Sequence, residues 1–254
     1  MASSIPISAF IITFNEAEHI AKVVTALNYF DEIIVVDSGS TDNTVELASN
    51  NGARVIHQDW LGYAKQKDFA MRQCKHNWVI NIDGDEVLSQ QNIDEIADIV
   101  NNDKADAIRL YFDDLLWGKS MSKKSRKRSI IRVFKRSCAK YPIERLVHEN
   151  VMLAKGSRVV SIPSLITHYG YNSTEIVTQK FNRYSSLKAQ EKFNQAKSPS
   201  LLKLALVYPL NFIKSYLLRR MFLSGIRGLI MSHTEASYAF LKEAKLFELC
   251  TQQH

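Results

Sequence analysis

Two aspartates flank a glycine at Asp83-Gly84-Asp85, directly after the apolar run Trp78-Val-Ile-Asn-Ile82. Such a run reads as a buried strand, and charge at its end is expensive unless something compensates it. A hard divalent cation, Mg2+ or Mn2+, is one such partner, because carboxylate oxygens are its natural ligands. The cation would keep open positions for a diphosphate. The competing reading is a plain turn with solvated acids and a nearby helix cap. A second polar cluster, Asp37-Ser-Gly-Ser-Thr-Asp42, follows the run Glu32-Ile-Ile-Val-Val36. Gly39 permits the tight bend, and Thr41 or Asp42 can cap the helix that follows. Asp37 has no helix to cap, and a carboxylate there can accept a hydrogen bond from a uracil N–H or a ribose hydroxyl. A third cluster, Thr13-Phe-Asn-Glu16, ends the first apolar run.

The elements that must position these clusters are legible from hydrophobic period. Residues 7–12, 32–36, 54–57 and 78–82 read as short buried strands, and 16–27, 42–48 and 64–74 as helices between them. This alternation predicts an α/β fold with a mostly parallel sheet and helices on both faces. Ligands of open parallel sheets bind beyond the carboxyl ends of the strands, which is where all three clusters fall. Residues 107–112, 129–134 and 159–166 read as further strands, and from Thr174 the pattern is helical to the end.

Composition sets the wider bounds. Of 254 residues, 46% are hydrophobic and 23% charged, so a sizeable core is available. The three cysteines are scattered and odd in number, which argues against a disulfide framework or a zinc site and for a reducing compartment. The run Ile5–Phe14 lacks a basic flank and breaks at Asn15-Glu16, so it does not read as a signal peptide. Leu201–Leu218 is interrupted by Lys203, Pro209 and Lys214, short of an uncharged spanning helix. A cytoplasmic location is expected. Net charge is +7, and nine Lys/Arg with no acid lie between Lys119 and Arg136. The excess is local, and its expected partner is a substrate phosphate, an anionic lipid headgroup or nucleic acid. The helix of about 201–220 mixes Leu, Tyr, Phe and Ile with Lys203, Lys214, Arg219 and Arg220, as does an amphipathic helix on an anionic membrane. Packing on the catalytic domain, or against a second copy, fits the same pattern.

The ordered set Ile12-Thr-Phe-Asn-Glu16, Val35-Val-Asp-Ser-Gly-Ser-Thr-Asp-Asn-Thr44, Gly62-Tyr-Ala-Lys-Gln-Lys-Asp-Phe-Ala70 and Asn81-Ile-Asp-Gly-Asp-Glu86 resembles family 2 glycosyltransferases of the GT-A, Rossmann-like fold. Residues 1–170 would then be the catalytic domain, with a nucleotide-sugar half at 1–100 and an acceptor half at 101–170. Residues 171–254 would be a C-terminal helical region. The resemblance implies donor binding by Thr13, Asn15, Glu16, Asp37, Lys67, Asp83 and Asp85. Lys67 stands where the family often has arginine, and Asp68 where asparagine is common. Asp85 and Asp83 would bind the metal, with His168 as a third ligand.

Further on, Arg132-Val-Phe-Lys135, Arg145-Leu-Val-His-Glu149, Thr167-His-Tyr169, Lys180-Phe-Asn-Arg-Tyr184, Tyr216-Leu-Leu-Arg-Arg220, Gly225-Ile-Arg-Gly228 and Ala244-Lys-Leu246 resemble lipopolysaccharide core β-glucosyltransferases. That subgroup implies inverting transfer of glucose from UDP-glucose to an inner-core heptose on a lipid-linked oligosaccharide, at the inner membrane. Glu149 is the implied general base, with Asp113 and Asp114 as rivals. Lys123, Lys124, Arg126 and Arg128 are the implied receptor for an acidic acceptor. A nucleotidyltransferase is disfavoured, because the first turn has no glycine-rich phosphate loop. A basic membrane- or nucleic-acid-binding module without catalysis would have no use for Asp37, Asp83 and Asp85 on one edge.

Overall fold

The four apolar runs become four neighbouring strands. In the computed structural model, which describes residues 4–144 and 150–252, β1 (Ile5–Thr13), α1 (Ile20–Ala26), β2 (Phe30–Asp37), α2 (Thr44–Asn50), β3 (Arg54–His57), α3 (Tyr63–Arg72) and β4 (Trp78–Asn81) alternate. The pairs β1–β2, β2–β3 and β1–β4 are parallel. Residues alternate between two cores: Ile7, Ala9 and Ile11 enter one with α1, while Phe10, Ile34 and Val36 enter the other with Ala70 and Met71 of α3. Along β1, β2 and β4 both faces are therefore dry, which is why these three read as apolar runs, while β3 at the sheet edge is half exposed.

Beyond β4 come β5 (Glu86–Val87), α4 (Gln90–Asn101), β6 (Ala107–Leu116), β7 (Lys119–Ser120), β8 (Ser129–Lys135), β9 (Ala139–Lys140), β10 (Met152–Leu153) and β11 (Val159–Tyr171). Among the described residues the main sheet runs β3-β2-β1-β4-β8-β6-β11-β5, and β7 pairs with β6. β8 joins β4 and β6 antiparallel, so the sheet is mixed. β9 and β10 form a separate antiparallel pair. The pattern reading assigned no element to α4. Its start is fixed by a capping box between Ser89 and Asn92, and Ile93, Ile96 and Val100 bury its inner face.

Two compact units result: residues 1–113 with 128–168, and residues 114–127 with 169–254. The second holds α5 (Thr174–Asn194), α6 (Leu201–Ile213) and α7 (Gly225–Thr251), with α5 and α6 both packed on α7. Serine caps start α5 and α6, Ser173 accepting from the Ile176 N–H and Ser200 from the Lys203 N–H. After α6 the helix widens through Lys214–Leu218 and stops. Leu201–Leu218 is long and apolar enough to cross a membrane by length and composition.

Candidate active site

Parallel register brings the polar clusters to one sheet edge. Thr13 lies opposite Asp37, and Asp37 opposite His57, at the carboxyl ends of β1, β2 and β3. Ile82 extends β4 by donating to the Phe10 carbonyl, so Asp83 starts just past that edge. The edge is tied together by short side chains. The Ser38 N–H donates to the Thr13 carbonyl at 3.0 Å. Asn15, in the left-handed region at φ 55°, donates its N–H to Ser40 Oγ and accepts from the Thr41 N–H, both at 2.8 Å. The Glu16 N–H donates to Thr44 Oγ1 at 2.8 Å. Glu16 also packs on Gly84, where an added Cβ would meet Glu16 Cγ at 3.1 Å.

Asp37 is buried, and its own loop occupies it. Oδ2 accepts from the Gly39 and Ser40 N–H groups at 2.8 and 2.9 Å, and Oδ1 accepts from the Ser40 hydroxyl. Its first task is therefore to shape this turn. Asp42 accepts from the Thr44 N–H at 3.0 Å and the Ala17 N–H at 3.2 Å. Those contacts hold its carboxyl below the ordinary range, the Thr44 hydroxyl having the largest effect. Thr13 Oγ1 is buried at the edge with no hydrogen-bond partner among the described residues.

The Asp83-Gly84-Asp85 turn divides its acids between two environments. Asp83 Oδ2 sits 2.7 Å from Arg132 Nη2, and Oδ1 is 3.4 Å from Lys67 Nζ. Asp85 Oδ2 lies 3.3 Å from His168 Nε2. Asp83 and Asp85 thus face different partners, and among the described residues no three His, Cys, Asp or Glu gather around a metal position. Arg132 and Lys67 place two positive charges against Asp83. Asp85 and His168 remain together, and their carboxylate–imidazole pair is a donor set that suits Mn2+ better than Mg2+.

Behind the turn lies a buried network that the sequence reading missed. Glu86, 1% exposed, contacts Arg132, 4% exposed, and Arg132 Nη1 donates to Asn81 Oδ1 at 3.0 Å. Burial pushes the Glu86 carboxyl up, although Arg132 opposes this. Burial works against charge on Arg132 too, but Asp83 and Glu86 more than offset it and hold the guanidinium protonated. Arg128 stacks over the Phe112 ring at 3.8 Å and lies 3.7 Å from Glu86. The visible signal was Arg132 itself, one charge inside Ile130-Ile-Arg-Val-Phe134. β5 pairs Glu86 with His168 across strands, which sets His168 beside the turn.

Other expected residues fall elsewhere. Glu149 lies outside the described residues. Asp113 and Asp114 are half-buried on β6. Asp68 pairs with Arg72 at 2.8 Å. Of the basic residues, Arg128 belongs to the first unit, while Lys123, Lys124 and Arg126 belong to the second.

Comparison with solved structures defines the fold. A Staphylococcus aureus TarS structure (residues 1–349, in complex with UDP-GlcNAc) matches with TM-score 0.53 at 14% identity, over 98% of this chain and 92% of that one. The fold is GT-A, the glycosyltransferase fold. The family model "Glycosyl transferase family 2" matches residues 8–149, and the chain belongs to that family; it is a sugar-transferring enzyme. It is 37% identical to an uncharacterized glycosyltransferase of Rickettsia typhi, over 96% of this chain and 87% of that protein. It is 31% identical to the lipopolysaccharide core biosynthesis glycosyltransferase LpsC of Rhizobium meliloti, over 98% and 94%. Family membership sets aside a purely binding module.

Proposed function

We propose that the enzyme takes glucose from UDP-glucose, with inversion, and adds it to a heptose of the lipopolysaccharide inner core. The similarity to LpsC, which runs nearly end to end in both chains, supports an acceptor in the lipopolysaccharide core, while glucose, heptose and inversion follow from the motif resemblance to core β-glucosyltransferases. The enzyme would work in the cytoplasm, against the inner face of the membrane where a lipid-linked acceptor is presented.

The donor belongs at the carboxyl edge of β1–β4. Thr13, whose buried hydroxyl is available, and the Asn15–Glu16 turn would hold the nucleoside, with Asp37 fixing the loop beside it. Lys67 and Arg132 hold Asp83 in place, and its carboxylate would accept from a ribose hydroxyl. Asp85 and His168 are the residues that would hold Mg2+ or Mn2+. When bound, the ion would stabilise charge on the departing diphosphate. Glu149 is our choice for the group that takes the proton from the acceptor hydroxyl, with Asp113 and Asp114 as its rivals.

The test is transfer from a panel of radiolabelled UDP-sugars to heptose-terminated lipooligosaccharide, with the anomer of the product determined by NMR. A β-glucoside made only from UDP-glucose supports the proposal. Transfer of another sugar, or retention of configuration, overturns it.

A further inference from the structure

The basic loop is part of the helical unit, and apolar side chains stand exposed beside its anchor points. The Ser122 N–H donates to Ser224 Oγ at 3.0 Å, the Ser125 hydroxyl to the Arg220 carbonyl at 2.9 Å, and the Arg126 N–H to the Arg219 carbonyl at 3.0 Å. Met121 is buried in the same small core as Met221 and Met231. The loop is thereby stapled to the turn at 219–224, and Lys123, Lys124 and Arg126 remain exposed.

That turn carries the apolar end of a long stripe. Leu202, Leu206, Leu210, Ile213 and Leu217 recur at helical spacing, and all are exposed. Leu218 is 75% exposed, and Phe222, Leu223 and Ile226 are exposed after it. Large apolar side chains concentrated in this way mark an interaction surface. Their charged neighbours are of one sign: Lys214 and Arg220 are exposed on the same segment, and the stapled loop adds three more cations. Apolar side chains beside a one-signed basic loop complement a bilayer interface with anionic headgroups.

We infer that the stripe of α6, the 217–226 turn and the Lys123–Arg126 loop form one docking surface for an anionic lipid bilayer, with the helix in the interface plane. The loop's cations thus read lipid headgroups rather than the acceptor sugar. In-plane seating follows from the opposite side of the helix, which is committed to α7. Tyr208 bonds His233 at 2.6 Å, Phe212 packs on the same imidazole, Ser215 bonds Ser232 at 3.1 Å and Arg219 pairs with Glu235. Its partner α7 carries Arg227, Glu235, Lys242, Glu243, Lys245 and Glu248, so the pair is ill suited to cross a membrane although α6's length and composition would permit it. This inference rests on the proposal that the enzyme works at a membrane, and its test is separable from the sugar chemistry.

The test is flotation of the full-length protein with vesicles of phosphatidylethanolamine and phosphatidylglycerol, against phosphatidylcholine alone. Binding should require the anionic lipid and fall steeply with salt. Lys123→Glu with Lys124→Glu and Arg126→Glu should weaken it at least about 10-fold. Leu218→Ser with Phe222→Ser and Leu223→Ser should weaken it comparably. All six side chains are exposed, and an unchanged melting temperature will show that both variants fold. Equal flotation with neutral vesicles, none with either kind, or full retention by the charge-reversed variant overturns the inference. Release by detergent but not by salt or alkaline carbonate overturns in-plane seating. A charge-reversed variant that still floats, but has a raised KM for an acceptor stripped of its lipid, returns the loop to acceptor binding. The thermal shift produced by UDP-glucose, measured on the same samples, reports on the donor reading alone.

Discussion

Replacing Arg132 with Met should cost this protein more than any surface change. The side chain holds Glu86, Asp83 and Asn81, and two of those partners, Glu86 and Asn81, are almost fully buried. Methionine fills similar space but leaves the Glu86 carboxylate with only the more distant Arg128, 3.7 Å away, and breaking a buried pair from one side costs about 3–5 kcal/mol. For a chain of this size each kcal/mol lowers Tm by about 2–4 °C, so a drop of about 6–20 °C is expected. The loss should depend on pH. Burial already raises the folded-state pKa of Glu86 above its unfolded value, and removing Arg132 raises it further. A raised carboxylate pKa makes the folded state bind more protons, so stability falls as pH rises from the ordinary glutamate range through the folded pKa. In Arg132→Met that window extends upward, so the deficit against wild type should grow between mildly acidic and mildly alkaline pH. Adding Glu86→Leu should recover more than half of it, because an apolar pair can replace a buried ionic one. Chemical denaturation of the three proteins at several pH values is the assay. A deficit below about 1 kcal/mol, or one that shrinks with rising pH, would refute the reasoning.

Three further outcomes can be checked on the same footing. Gly228→Ala would ordinarily favour a helix, but here its Cβ would sit 1.8 Å from the Met221 carbonyl oxygen, so a loss of about 1–3 kcal/mol is expected in thermal denaturation, and a gain would contradict the packing of that turn. Ser89→Ala removes one half of the α4 capping box and should cost about 1 kcal/mol in urea titration; no change would mean the cap does not hold the helix. Burial, reinforced by Glu32, pushes the Cys74 thiol up to about 12, so Cys74 should react with a thiol reagent only after unfolding while Cys138 and Cys250 label first; early labelling of Cys74 would contradict its burial.

Half-buried geometry decided what the sequence could disclose. β1, β2 and β4 were legible because both of their faces are dry, leaving apolar runs, while the edge strand β3 was legible only from its two central apolar residues. The candidate site edge followed from them, since open parallel sheets bind ligands beyond the carboxyl ends of their strands, where the polar clusters lie. The helix α4 was missed although Ser89, Asn92 and the spacing of Ile93, Ile96 and Val100 announce it. β5 spans two residues and carries no periodic signal, yet it sets Glu86 opposite His168. The insertion of β8 antiparallel between β4 and β6 is a long-range pairing that no local period encodes. It is this insertion that brings Arg132 to Asp83. The basic loop was legible as a charge run, but its staples to Arg219, Arg220 and Ser224 join residues about a hundred positions apart and were not.

The central claim is that the carboxyl edge of β1–β4 binds a UDP-sugar through a metal held at Asp85. Thermal stability in the presence of UDP-glucose, with Mn2+ and with EDTA, tests it most directly, because a ligand bound only by the folded state raises Tm by mass action. A shift that needs Mn2+, is largest for UDP-glucose among UDP-sugars and is absent from Asp85→Ala is the predicted result. No shift with any UDP species, or an undiminished one in Asp85→Ala, would contradict the account.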